Sequence, residues 1–266
     1  LFRSTKYIYH YNKYLNFTVY SPYCVQLLNH TTIKKMYKSK GYFITGTDTG
    51  VGKTVVTACL LTIYRKHGNT GIMKPIETGV SQKFSSEANS DAKFLLTVSG
   101  NKDSIKEVSP ICLEPTASPL QATRLTGQTV DISLILENFR RLQTKHDRML
   151  VEGVGGLLVP LTANYSVSDL IKDMNLPLII VSRFSLGTIN HTLLTVKAAQ
   201  KTGVKIAGII LNHSEDRPLN EIELGQASLI QELSNVPILG ECPFINSISS
   251  EQFDSKLEKK IEGWKV

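Results

Sequence analysis

The chain has 266 residues, 41% hydrophobic and 20% charged, enough for a sizeable core in one large α/β domain or two small ones. No run approaches the roughly 18 uninterrupted apolar residues of a spanning helix, and the four cysteines (Cys24, Cys59, Cys112, Cys242) include no CxxC pair, so a helical membrane protein is excluded and a zinc site or disulfide framework disfavoured, with a reducing, cytoplasmic compartment expected. The formal net charge of +7 sits at one end: residues 1–47 hold seven Lys/Arg and no acid, and without them the chain balances at 23 basic against 23 acidic, which removes the case for nucleic-acid binding.

Residues 1–35 hold six of the ten tyrosines, no glycine and no helical or strand period. The segment lacks the Arg/Ser richness of a transit peptide and the continuous apolar stretch of a secretory signal. It is expected to be a disordered or artefactual extension, with Met36 as the natural start and residues 36–266 as a single domain. Beyond Gly41, short apolar runs bounded by Gly, Pro or Asn predict strands over 42–45, 71–75, 149–152, 178–181, 206–211 and 237–239. Helical patterns predict helices over 53–67, 91–99, 131–145, 188–201, 220–233 and 251–262. Alternation of unbroken apolar strands with helices implies an α/β fold: a mostly parallel central sheet with helices on both faces.

The first strand runs into Gly46-Thr47-Asp48-Thr49-Gly50-Val51-Gly52-Lys53-Thr54, which fits GxxxxGK[ST] between a strand and a helix. Glycines in such a P-loop let backbone N–H groups face phosphate oxygens, and the helix dipole adds positive potential there. Lys53 would neutralise the β/γ-phosphates, and the Thr54 hydroxyl would ligate Mg²⁺.

Three further residues stand where a P-loop enzyme keeps its chemistry. Lys74 ends the second predicted strand in Lys74-Pro75-Ile76-Glu77-Thr78-Gly79, at the sheet edge where ligands bind. On its own it is equally an ordinary strand-end lysine. Asp91, after Asn89-Ser90, opens a helix and reads either as an N-terminal cap or as a metal ligand. Glu152 ends the apolar Met149-Leu150-Val151 run before Gly153-Val154-Gly155-Gly156, the place for a second metal ligand, against the plainer reading of a solvated loop acid.

In order along the chain, GTDTGVGKT, KPIETG, NSDA, VEGVGGLLVPL, LGTINHTLLT and GIILN closely resemble the dethiobiotin synthetase family of P-loop NTPases, over about residues 42–243. The resemblance implies a single P-loop catalytic domain over 36–266. It also implies ATP- and Mg²⁺-dependent closure of a cyclic urea from 7,8-diaminononanoate and CO₂, through a carbamate and its mixed anhydride with phosphate, giving dethiobiotin, ADP and phosphate. By the same resemblance Lys74 and Lys53 are the catalytic lysines, and Thr54, Asp91 and Glu152 are the metal ligands. Thr49, Gly50, Val51, Gly52, Lys53, Thr54, Val55, Asp91, Glu152, Gly153, Val154 and Gly155 line the nucleotide, while Asn212, His213 and Pro243 border the adenine.

Thr78 and Gly155 match substrate contacts. Thr188, Ile189 and Asn190 open a helix whose free N–H groups hold the carboxylate tail of a substrate bound mainly to the other subunit, so a homodimer is implied. One departure is Gly50, where some family members carry an acid. Two rival P-loop classes fit less well. Partition and septum-positioning ATPases carry a second lysine early in the loop, where this chain has Asp48, and the amide-forming enzymes of cobalamin synthesis usually add a glutaminase domain for which no room remains.

Overall fold

The structure, a computed structural model, describes residues 40–80 and 90–245. The extension over 1–35, the start at Met36 and the helix expected over 251–262 lie outside the described residues.

The chain runs β1 (Gly41–Gly46), α1 (Lys53–Tyr64, continued by a 3₁₀ turn Arg65–His67), β2 (Thr70–Met73), β3 (Ile76–Thr78), α2 (Asp91–Ser99) and α3 (Ile105–Val108). It continues through β4 (Ile111–Leu113), α4 (Pro119–Thr126), α5 (Ile132–Lys145), β5 (Arg148–Gly156), β6 (Pro160–Thr162), β7 (Tyr165–Ser166) and α6 (Val167–Met174). The last elements are β8 (Leu178–Arg183), α7 (Thr188–Lys201), β9 (Ile206–Asn212), α8 (Glu221–Leu224), α9 (Gln226–Ser234) and β10 (Ile238–Cys242).

Six strands form one sheet in the order β10-β9-β8-β1-β5-β2, and every pairing in it is parallel. Successive strand residues alternate between two cores, as the two-residue strand period requires. Phe43, Val151, Ile180 and Leu211 pack with residues of α5, α6 and α7, among them Leu142, Ile171 and Val196. Tyr42, Ile44, Leu150, Ile179 and Ile210 pack on the other side with Val56, Leu60 and Leu95 of α1 and α2. Both faces are therefore covered, and the expected fold class holds.

The parallel register gathers the C-terminal ends of β1, β2, β5, β8 and β9 along one edge, with Gly46 beside both Gly156 and Val181 and Arg183 beside Asn212. The P-loop, Lys74, the Gly153–Gly156 end of β5 and the start of α7 all lie there; the residues expected to form a glycine-rich turn after Glu152 instead continue the strand.

Several elements depart from the sequence expectation. The helix expected over 220–233 is broken at Gly225 into α8 and α9. Asn220 and Glu223 form a capping box that opens the one-turn α8, and Gly225, helical in backbone, serves as both its C-cap and the N-cap of α9. Lys74 lies just past β2 rather than inside it, because the chain leaves the main sheet there. Residues 76–78 pair instead with β4, Glu77 opposite Cys112.

Candidate active site

At the N-terminus of α1 the loop chemistry is met by conformation. Gly52 is the N-cap with φ +93°, and a Cβ there would collide with the Asn212 amide. Gly50 adopts φ +73° with open space around it, so the glycine that replaces an acid suits the turn. Thr49 is exposed and its N–H donates to Asp48 Oδ1 at 2.7 Å, Val51 is buried, and Val55 packs on the α1-side core. Gly155, near the end of β5, comes up against Thr49 from the strand paired with β1.

Lys53 is 8% exposed, and its Nζ donates to the Asp48 carbonyl at 3.1 Å. Burial, then the nearby Lys74 charge, lower its pKa from 10.5 to about 8, against the smaller pull of Glu152, Asp91 and Asp48.

Lys74 is the hub of the site. Its Nζ donates to Glu152 Oε1 at 2.6 Å, to Asp91 Oδ2 at 3.2 Å and to the Gly153 carbonyl at 3.4 Å. Burial alone would lower its pKa, but the Glu152 and Asp91 charges and hydrogen bonds outweigh it and hold the ammonium above the usual lysine range. Glu152 is fully buried and also accepts from Thr54 Oγ1 at 3.0 Å. A solvated loop acid is thereby excluded. Asp91 is the first residue of α2, and the cap is Ser90, whose Oγ accepts from the Lys93 N–H at 3.2 Å. The capping reading of Asp91 therefore fails, and its carboxylate faces Lys74.

The oxygen set suits Mg²⁺. Glu152 Oε2 is buried with no hydrogen-bond partner among the described residues, an acceptor left over beside the Thr54 hydroxyl and the Lys74-bound Asp91. No cluster of three or more His, Cys, Asp or Glu that could hold a metal occurs among the described residues. Mg²⁺ in a nucleotide site takes one or two protein carboxylates and completes its shell with phosphate oxygens and water.

Asn212 closes the opposite wall. It is buried at the end of β9, donates from Nδ2 to the Val51 carbonyl at 3.0 Å, and leaves Oδ1 without a partner among the described residues. His213 tilts against Phe184 with ring centroids 4.6 Å apart and lies 3.7 Å from Glu241 Oε2, while half-buried Pro243 follows β10. Thr78, half-buried, ends β3.

The start of α7 differs from expectation. The Thr188 N–H is not free: it donates to the Ser185 carbonyl at 3.1 Å. Its hydroxyl is buried 2.7 Å from Ser182 Oγ, which also touches Thr192 at 2.8 Å and reaches Thr47 of the P-loop at 3.5 Å. Any anion held at this turn must use the Ile189 and Asn190 N–H groups that follow. Ile189 is partly buried against the core.

Two residues that sequence reasoning left without a role, Glu77 and Ser90, are buried at the foot of Asp91. Glu77 accepts from Ser90 Oγ at 2.8 Å and from the Asp91 N–H. Burial raises its pKa, while the Ser90 hydrogen bond and the Lys74 charge pull the other way. No pattern in the sequence singled out Glu77 or Ser90, since β3 is only three residues long.

A family model described as an AAA domain matches residues 40–252. The ATP-dependent dethiobiotin synthetase BioD of Thermodesulfovibrio yellowstonii is 43% identical over 230 residues, covering 84% of this chain and 96% of that relative. The proteins of the same name from Bacillus velezensis and Bacillus subtilis (strain 168) are each 40% identical, covering 84% and 80% of this chain and 94% and 90% of their own lengths. Among solved structures, a ParA family ATPase from Chlorobium tepidum TLS matches with TM-score 0.47 at 12% identity, over 85% of this chain and 95% of that one. The MinD cell division protein of Aquifex aeolicus matches with TM-score 0.47 at 14% identity, over 78% of this chain and 84% of that one. Neither adds to the fold described above.

Proposed function

The chain belongs to the dethiobiotin synthetase family, and we infer that its site joins CO₂ to 7,8-diaminononanoate and closes the ring of dethiobiotin while ATP is cleaved to ADP and phosphate. It is an ATP-dependent ligase of biotin synthesis. The observation that carries the reading is the pair of buried lysines at one sheet edge, with Lys74 held on Glu152 and Asp91 and Lys53 close enough to feel its charge.

One amine of the substrate takes up CO₂ and loses a proton to become a carbamate. A carbamate oxygen attacks the γ-phosphorus, ADP departs, and a mixed anhydride forms. The second amine attacks the anhydride carbon, the ring closes, and phosphate leaves. The first transfer brings two anions together, so fixed positive charge at the meeting point is what lowers the barrier. Lys53, rising from α1 beneath the loop, takes the β/γ-phosphate charge. Lys74, already aimed across the site, takes the carbamate and the transferring group. Thr54, Asp91 and Glu152 would hold Mg²⁺, which supplies charge neutralisation at the phosphates.

In the same reading Thr49–Val55, Gly153 and Val154 line the nucleotide, while Asn212, His213 and Pro243 border its base. The unpartnered Asn212 Oδ1 is an acceptor suited to an exocyclic amine. Thr78 and Gly155 contact the diamine. The N–H groups of Ile189 and Asn190 hold the carboxylate tail of a substrate in the other half of a homodimer. Among the described residues no helix is long and apolar enough to cross a membrane. Cys59, Cys112 and Cys242 carry free thiols, which suits a reducing compartment such as the cytoplasm. The test is to incubate purified protein with 7,8-diaminononanoate, bicarbonate and Mg-ATP and to follow dethiobiotin by mass spectrometry. Product should appear only with all three present. ATP cleavage without dethiobiotin would overturn the reading.

A further inference from the structure

α2 reaches the active site with one residue, Asp91, and Glu77 is one of the groups that hold its first turn in place, beside Lys74 and the core packing of Ala92 and Leu95. At this end of α2 the Glu77 and Ser90 side chains take up the Asp91 and Lys93 N–H groups. Glu77 is buried on β3, its backbone fixed by the pairing with Cys112 of β4. Its two carboxylate oxygens are divided between neighbours: Oε2 accepts from Ser90 Oγ at 2.8 Å, and Oε1 accepts from the Asp91 N–H. Ser90 in turn accepts from the Lys93 N–H at 3.2 Å, so the cap and the carboxylate form one chain of hydrogen bonds.

Lys74, three residues before Glu77 on the same segment, grips the Asp91 side chain from the front at 3.2 Å. Asp91 is thus held twice from one stretch of chain, by its backbone through Glu77 and by its carboxylate through Lys74. Neither Glu77 oxygen is directed at the substrate edge, since both are committed to Ser90 and Asp91. Carboxylate acceptors at a helix start are favoured by the helix dipole, and two charge-assisted bonds fix direction as well as position.

We propose that Glu77 is a positioning residue which, through the Asp91 N–H and the Ser90 cap, sets the Asp91 carboxylate for its metal. The inference rests on the assignment of Asp91 as a metal ligand. Partners that orient ligands in this way typically change metal affinity or activity by about 10–100-fold when removed.

The test measures Mn²⁺ binding by electron paramagnetic resonance in the presence of ADP, together with Mg²⁺ titrations of turnover. Wild type is compared with Glu77→Ala, Glu77→Gln, Asp91→Asn and Glu77→Ala/Asp91→Asn, and circular dichroism melts check each fold. Glu77→Ala should weaken Mn²⁺ and raise the Mg²⁺ half-saturation about tenfold or more, with ADP affinity measured without metal unchanged within about twofold. Glu77→Gln, which keeps an acceptor for the Asp91 N–H, should recover part of the loss even if Glu77→Ala folds poorly. In the Asp91→Asn background, loss of Glu77 should add little, because the two act through one group. If Asp91→Asn weakens Mn²⁺ and both Glu77 variants leave it unchanged, or if the losses simply add, the positioning role is overturned while the metal assignment stands. If Asp91→Asn itself leaves Mn²⁺ binding intact, the metal assignment falls and the inference falls with it.

Discussion

Replacing Lys74 by alanine separates the chemical role of that lysine from its structural one. Lys74 and Glu152 are 4% and 0% exposed and meet at 2.6 Å, so removal of the ammonium strands a buried carboxylate. Breaking a buried pair in this way typically destabilises by about 3–5 kcal/mol, and the neighbouring Lys53 charge places this case toward the lower end. For a domain of this size each kcal/mol moves Tm by about 2–4 °C, so a fall of roughly 6–12 °C is expected by calorimetry. ATP affinity should change little, because Lys53 and the loop remain, whereas kcat should drop on the order of 10²–10³ with the loss of a transition-state cation. Adding Glu152→Gln should restore much of the melting temperature and none of the turnover, since it removes the stranded charge without replacing the cation. Equal ATP-binding defects in Lys74→Ala and Lys53→Ala, or an unchanged Tm in Lys74→Ala, would refute this division of roles.

Lys53→Ala should abolish turnover and weaken ATP binding in equilibrium dialysis. In wild type, the Lys53 pKa of about 8 carries a signed pH signature. The unfolded lysine stays protonated up to about 10.5 while the folded one does not, so this group's destabilising contribution is complete below pH 8 and is relieved as pH rises from 8 to 10.5. Nucleotide phosphates restore the proton, so binding above pH 8 should take one up, read as a buffer-dependent heat in titration calorimetry, and a buffer-independent heat would contradict it. Thr188→Ala should lower Tm by a few degrees, through loss of a buried hydroxyl contact worth about 1 kcal/mol, and leave the KM for ATP unchanged. On dilution, activity should fall with a rising KM for the diamine as dimers part, and a monomer active at every concentration would exclude the shared site.

Several features governed by local rules were legible in the chain itself, although the short helices α3, α4 and α6 were not read from it. The P-loop could be read from Gly46 to Thr54 because glycine spacing, a preceding apolar strand and a following helix lie within about twenty consecutive residues. Helices α2 and α7 were bounded correctly because Ser90, Gly100 and Gly187 mark their ends. β3, β4, β6 and β7 escaped, since runs of two or three residues carry no period to detect. Lys74, Asp91 and Glu152 belong to three separate segments; Lys74 and Asp91 each had a plain structural reading as good as the functional one, while Glu152, at an apolar strand's tip, already favoured the functional one. Strand order brings these residues together: β5 lies between β1 and β2, which sets Glu152 between Thr54 and Lys74 and buries all of its carboxylate. Thr188 shows the same dependence in reverse, since its sequence position marks a helix start with open N–H groups, yet packing against Ser182 and the turn to Ser185 consumes both of its polar groups. A pattern within one element reports what that element will be; which charges meet, and which are removed from water, depends on how distant elements pack.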